Sequence, residues 1–317
     1  MRRWRDRGLV LRGLWERRGL SLAVLVVAII PVVAAATGPV FSAAAGTALA
    51  RTALRDAGPD GRGWRLSSMQ GDVADAAARL VEGVPFVHPP IHGMELLGPE
   101  VPSRRNRLLM WQEGQCEHLT VVAGRCPERA REIMVSEASG LRLGREVRLT
   151  VLLDSATEPD AEPRLARLRV VGVYRPTDIT DPFWFGRNLF PESAGFHEGN
   201  GDPLFTVPQT AREVALPANI RWTHSAIVFI DPDRITSADL GTLEELQARA
   251  ERPAPGEPDF LLQTRVPAVL GELRAQREAF GVPTFLVIAQ LVGLGWLLLY
   301  LTVADLVTAR GPEIALA

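Results

Sequence analysis

Two stretches of the sequence are apolar almost without interruption. Leu20–Val40 (LSLAVLVVAIIPVVAAATGPV) carries no charge. At ~1.5 Å per helical residue it reaches roughly the ~30 Å of a bilayer core. Pro31 falls inside it, and membrane helices tolerate a proline by loosening one turn. The second run, TFLVIAQLVGLGWLLLYLTVA, has Gln290 as its one strongly polar interior residue, with Trp296 and Tyr300 toward its far end. Aromatic residues gather at membrane–water interfaces. The pattern predicts transmembrane helices over 20–40 and 283–304. Before the first lie Arg2, Arg3, Arg5, Arg7, Arg12, Arg17 and Arg18 against only Asp6 and Glu16, an excess that holds the N-terminus in the cytoplasm. Asp305 and Arg310 mark the return. The other reading of the first run is a cleaved signal peptide, with Ala43, Ala44 and Ala45 offering a cleavage site.

Residues 41–282 are patterned differently, with proline, glycine and charge throughout. Ser42–Ala57 is Ala-rich and predicts a helical stalk. Strands are expected at Trp64–Ser68, Arg107–Trp111, Leu119–Val122, Ile133–Ser136, Glu146–Leu153, Arg167–Tyr174 and Ala226–Ile230. In Arg167–Tyr174 the alternation places Leu168, Val170, Gly172 and Tyr174 on one face, Val171 and Val173 on the other. Helical spacing appears in Gly71–Val81, in a short piece over Ser136–Leu143, and in LGTLEELQARA, which Thr236 or Ser237 can cap. Pro85, Pro89 and Pro90 break regularity, Arg175–Arg221 reads as an irregular insertion, and Arg252–Pro258 as a loop. Val266–Phe280 has an apolar stripe of Val266, Val269, Leu270, Leu273 and Phe280, and Pro267 suits a first helical turn. This helix is expected to pair with the stalk and to hinge into the second span at Gly281 and Pro283.

Composition narrows the function. Hydrophobic residues at 47% and charged residues at 23% call for a folded core. A net charge of -2 gives no sign of nucleic-acid binding. All 35 basic residues are arginine, so the chain lacks the lysine that a P-loop ATPase or a Schiff base requires. The two cysteines, Cys116 and Cys126, suggest a disulfide if the central region is extracytoplasmic. His118 between them, with His88 and His92 upstream, leaves zinc binding open, though the spacing fits no common site; free thiols are the third reading. Ser136-x-Glu-x-Ser139 and Ser67-Ser68 lack a nucleophile-elbow context. Asp178, Asp181 and His224 have no spacing that makes them a site, and Asp181-Pro182 reads as a turn.

Three stretches resemble the FtsX-like, MacB-type ABC transporter permeases. They are His118–Thr150 (HLTVVAGRCPERAREIMVSEASGLRLGREVRLT), Leu168–Trp184 (LRVVGVYRPTDITDPFW), and Ala309–Ala317 (ARGPEIALA) directly after the second apolar run. The resemblance covers nearly the whole chain. Its last stretch is similar to the family's cytoplasmic R-x-x-E-[IL]-A segment, onto which Arg310, Glu313 and Ile314 fall. Glu146 stands where the family often has Asp. The resemblance implies an extracytoplasmic core domain with an inserted subdomain and a separate P-loop ATPase that drives it through stalk helices. It also implies work on lipoproteins, antibiotics, peptides or cell-wall hydrolases. Members continue beyond this segment into further spans, so residues 1–317 are expected to represent a fragment, a truncated gene or a degenerate copy.

The combined expectation is an α+β protein: two transmembrane helices flanking an extracytoplasmic mixed α/β MacB-like core domain with an inserted subdomain. Its parts are a cytoplasmic N-terminus (1–19), helix (20–40), core domain with stalks (41–282), helix (283–304) and the start of an ATPase-facing segment (305–317). Expected partners are a cytoplasmic P-loop ATPase and the lipid bilayer, with a second permease protomer left open. No cofactor, metal or catalytic residue is expected. Localisation is the cell membrane, multi-pass. The alternative from another class is a membrane-anchored extracellular binding or regulatory domain without transport, and an anchored hydrolase is the third.

Overall fold

A computed structural model describes residues 18–151, 164–190, 200–214, 222–252 and 254–314; along its longest helices many side chains fall outside the described set. The chain divides into two compact units, Met1–Leu49 with Glu272–Ala317, and Ala50–Gly271.

The first unit consists of most of two long helices, α1 (Arg18–Asp56) and α5 (Val266–Ile314). Helix α1 passes through Pro31 and Pro39, and the hydroxyls of Thr37 and Thr47 each donate to the carbonyl four residues back. Helix α5 continues through Gly281 and Pro283, where a hinge is expected, as one helix assignment. Within this unit the helices meet where Gly38 makes room for Ile288: a Cβ at Gly38 would lie 2.9 Å from Ile288 Cδ1. The contact falls in the apolar runs. Among the described residues no helix is long and apolar enough to cross a membrane. Much of the Leu20–Val40 run, and both ends of the second run, carry side chains outside that set, as do residues 1–17 and 315–317 altogether.

Among the described residues the second unit is built on ten strands: β1 (Gly63–Ser68), β2 (Ile91–Val101), β3 (Asn106–Gln112), β4 (Leu119–Gly124), β5 (Glu132–Ser136), β6 (Glu146–Val151), β7 (Arg164–Pro176), β8 (Asn200–Phe205), β9 (Thr223–Phe229) and β10 (Leu261–Gln263). Four of them form a layer in the order β10-β1-β9-β2. Helices α2 (Ala74–Val81) and α4 (Leu240–Ala250) contribute Ala76, Ala77, Leu80, Leu243 and Leu246 to its core. Trp64 is fully buried and donates its indole N–H to Gln247 at 2.7 Å, tying α4 to β1. A buried indole without such a partner would be destabilising.

The second half is a closed barrel. β2 pairs with β3, β3 with β8, β8 with β5, β5 with β7, and β7 with β6; β6 then returns to β2 through Glu100 opposite Leu149 and Val101 opposite Arg148. Inward side chains from all six strands meet: Leu96, Leu109, Ile133, Val135, Val147, Leu149, Leu168, Val170 and Leu204. Ala211 of α3 (Pro208–Val214) and Trp222 join them. Side chains alone fill so small a barrel.

The predicted face of β7 is split. Opposite β5 the register slips, Ile133 facing Val170 and Met134 facing Gly172, which leaves Val171 as the extra residue. A bulge of this kind switches which residues point inward. Leu168 and Val170 therefore fill the barrel, whereas Tyr174 joins a separate aromatic cluster and Val173 packs toward the barrel.

Other differences have local causes. Helix α2 starts at Ala74, not Gly71, because the Asp72 carboxylate accepts the Ala74 amide. The helix expected over Ser136–Leu143 shrinks to a 3-10 turn at Glu137–Ser139, ended by Gly140 at φ 69°. Helix α4 begins after Asp239, whose carboxylate accepts the amide and hydroxyl of Thr236. The insertion expected over Arg175–Arg221 holds β8 and α3, and its residues 191–199 and 215–221 lie outside the described set, as does 152–153 at the end of the strand predicted to Leu153. β2 has no counterpart among the predicted strands.

Gly172 offers a direct check. A Cβ there would collide with the carbonyl oxygen of Arg125, whereas a Cβ at Gly241 on α4 meets nothing within 4 Å. Gly172→Ala should lower the melting temperature by several degrees, on the order of 1–3 kcal/mol for overpacking. Gly241→Ala should raise stability by up to about 1 kcal/mol. Thermal unfolding of the two variants compares them directly.

Candidate functional site

The most elaborate side-chain arrangement lies where the chain leaves β7. Thr177–Phe190 crosses the outer side of the barrel as a strap. Phe183, Trp184, Leu189 and Phe190 pack onto Met110, Met134, Tyr174 and Phe205, which come from β3, β5, β7 and β8. Trp184 meets Phe190 at 5.2 Å in an edge arrangement, the geometry that aromatic quadrupoles favour. Its indole N–H donates to the Asp178 carbonyl, and Gln112 donates its amide to the Phe183 carbonyl at 2.7 Å.

Two polar fasteners hold the strap. Asp181 caps the turn Pro182–Trp184 by accepting the Phe183 amide at 2.8 Å, and its other oxygen lies 2.7 Å from His118 Nδ1. The His118 ring stacks on Phe183 at 3.8 Å. At the far end Arg187 donates to both oxygens of Glu95, which also accepts from Arg65 at 2.9 Å. Burial pushes the Glu95 carboxyl up, and the charges of Arg187 and Arg65 with their hydrogen bonds outweigh it, leaving it below the usual carboxylate range. Breaking one member would leave a buried charge uncompensated, which is costly.

Cys116 and Cys126 are joined in a disulfide, Cα atoms 6.3 Å apart, within the ordinary range. Cys116 sits in a 3-10 turn immediately before His118, so the bridge steadies the residue that meets Asp181. The loop it closes is fixed a second time. Glu132 accepts from both terminal nitrogens of Arg125 and from the amides of Glu128 and Arg129. The hydrogen bond from Arg125 brings the Glu132 carboxyl down to about 2. His88 and His92 are elsewhere: His88 lies near Asp231, and the His92 amide faces Glu113. Among the described residues no group of three or more His, Cys, Asp or Glu is placed to hold a metal ion.

The structure separates the residues imagined as a hydrolytic site. Asp181 meets His118, while His224 stands on β9 opposite Ser68 and Met94. Asp178 is a turn residue bonded by Thr180. Ser136 and Ser139 serve a turn, and Ser67 and Ser68 donate to the carbonyls of Leu261 and Asp259. The hydroxyls of Ser67, Ser68, Ser136 and Ser139 thus have structural partners. Arg310, Glu313 and Ile314 fall at the end of α5, with side chains outside the described set. No sequence motif marks the His118–Asp181 contact, whose partners stand 63 residues apart.

What these elements define is a mixed α/β domain, a barrel fused to an α/β layer, carried between two long helices. No family model matches the chain, and no curated protein does. Among solved structures it is similar to the periplasmic region of MacB from Actinobacillus actinomycetemcomitans, at 12% identity over 69% of this chain and 94% of that one, with a TM-score of 0.36. It is also similar to the extracellular domain of the noncanonic ABC-type transporter YknZ from Gram-positive bacteria, at 13% identity over 59% and 87%, with a TM-score of 0.31.

Two outcomes follow from the strap. Replacing Cys116 and Cys126 by serine should cost roughly 2–3 kcal/mol, as expected for a short closed loop, and should speed amide exchange in 178–190 as well as in the loop itself. For Glu132 the sign is that of a depressed acid. Its stabilisation is complete above the unfolded carboxylate value near 4.3 and fades as pH falls toward about 2. Glu132→Gln should therefore lower stability at neutral pH and flatten the loss between about pH 4.3 and 2, as read by urea unfolding at a series of pH values.

Proposed function

We propose that the chain is a permease subunit of the FtsX/MacB type. It couples ATP hydrolysis by a cytoplasmic partner to movement of the extracytoplasmic domain formed by 50–271. The observation that carries the reading is the set of large apolar side chains exposed on the two long helices within the stretches read as membrane spans and beside them. Phe41 is 70% exposed, Phe285 71%, Trp296 74% and Tyr300 70%. An apolar surface on this scale needs a cover, and a bilayer supplies one. The arginine-rich start, the disulfide, and the resemblance of Ala309–Ala317 to the ATPase-facing segment support the same reading. In it the membrane helices are 20–40 and 283–304, and Arg310, Glu313 and Ile314 face the ATPase. A polypeptide without the P-loop lysine needs that partner.

The test is coupling. Glu313→Arg, in the chain co-expressed with the ATPase that copurifies with it, should reduce stimulated ATP hydrolysis severalfold while leaving the melting of the outer domain unchanged. Unaltered stimulation would remove Glu313 from the interface. Failure of any ATPase to copurify with the unaltered chain would favour an anchored binding domain.

A further inference from the structure

The wall of the barrel formed by β6 and β7 carries a group of exposed arginines. The alternation that sends Val147, Leu149, Leu168 and Val170 inward turns Arg148, Arg167 and Arg169 outward. Arg148 and Arg167 are direct cross-strand partners. Like charges placed directly opposite on a sheet are destabilising. Arg142 and Arg145, in the turn that leads into β6, are also exposed, and Arg145 adjoins the same strand through its carbonyl bond to the Val170 amide. Glu146, opposite Arg169, is the acidic residue on this ladder.

None of these five arginines makes a side-chain ion pair or hydrogen bond with another described residue. By contrast Arg65, Arg107, Arg125, Arg131, Arg175 and Arg187 all have carboxylate partners. A chain whose net charge is -2 thus gathers on one barrel wall guanidiniums that have no carboxylate partner among the described residues. The wall is an open ladder. Side chains two apart along a strand stand about 6–7 Å from one another, and cross-strand partners about 5 Å. That spacing suits a chain of repeated anionic groups better than a single small anion. Guanidinium is the cation matched to phosphate, which it binds through two parallel N–H donors.

We propose that the β6–β7 wall is a docking surface for a linear polymer of repeated phosphate groups, with Arg148 and Arg167 at its centre. The inference is independent of ATP coupling and takes from the proposed function only the compartment, which makes the polymer one of the cell envelope.

The experiment uses the full chain in detergent micelles and long-chain inorganic polyphosphate as the probe, with binding followed by anisotropy over a range of salt concentrations. Binding should weaken as salt rises. The double variant Arg148→Gln with Arg167→Gln should bind at least roughly tenfold more weakly and lower the slope of log affinity against log salt by about two. A control pair, Arg249→Gln with Arg252→Gln at the end of α4, should bind as the unaltered chain does. The disulfide and melting temperature of each variant establish that it is folded. Absence of polyphosphate binding at low salt, or equal loss in the control pair, would overturn the proposal. Binding to vesicles rich in anionic lipid but not to polyphosphate would also overturn it, in favour of the bilayer surface. Whether the ATPase copurifies has no bearing on either result.

Discussion

The fold depends on the return of β6 to β2. Without the pairing of Glu100 and Val101 to Leu149 and Arg148, the sheet would be an open ribbon with β6 at a free edge. With it, six strands enclose their own core, and β6 is no longer at a free edge. The closure is achieved by length. β2 runs for eleven residues and β7 for thirteen, each long enough to serve two partners in succession. The first half of β2 belongs to the layer with β9, and its end belongs to the barrel. β7 pairs with β6 along its first half and with β4 along its second. The two halves of the domain are therefore continuous through backbone hydrogen bonds.

The strap follows from that closure. A closed barrel has a second, outer face, and on β3, β5, β7 and β8 that face is apolar: Met110, Met134, Tyr174 and Phe205. The segment after β7 carries the aromatic residues that cover it. Its polar fasteners come from distant parts of the sequence, His118 before β4 and Glu95 in β2. The disulfide beside His118 and the Arg125–Glu132 pair stiffen the loop on which one fastener stands. In the proposed permease this gives the domain a rigid body suited to being moved as a whole.

Much of this was legible along the chain wherever the signal is local. The alternation in Arg167–Tyr174 marked β7, whose residues 165–170 alternate between exposed and buried, and the continuous apolar run AIVFI marked β9, buried on both faces from Ser225 to Val228. β2 was missed because Gly93, Gly98 and Pro99 interrupt its pattern. A Cβ at Gly93 would press on Ser225, and one at Gly98 on the carbonyl of Thr150, so the glycines are there for cross-strand approach. Barrel closure and the strap's fasteners were not legible, since each joins residues tens of positions apart. The bulge at Val171, which splits the predicted face of β7, depends on its partner β5 and leaves no mark in β7 alone. The site residues at Arg310, Glu313 and Ile314 came from resemblance to a family segment, a signal that periodicity does not contain.

The central claim is that 50–271 lies outside the cell while both flanks return to the cytoplasm. The most direct measurement is protease accessibility in intact cells stripped of their outer layers, with distinct tags at the two termini of the chain. The account predicts that added protease cuts within 50–271 and leaves the tagged ends protected until the membrane is permeabilised. Cleavage of both tags in sealed cells, or full protection of 50–271, would contradict it.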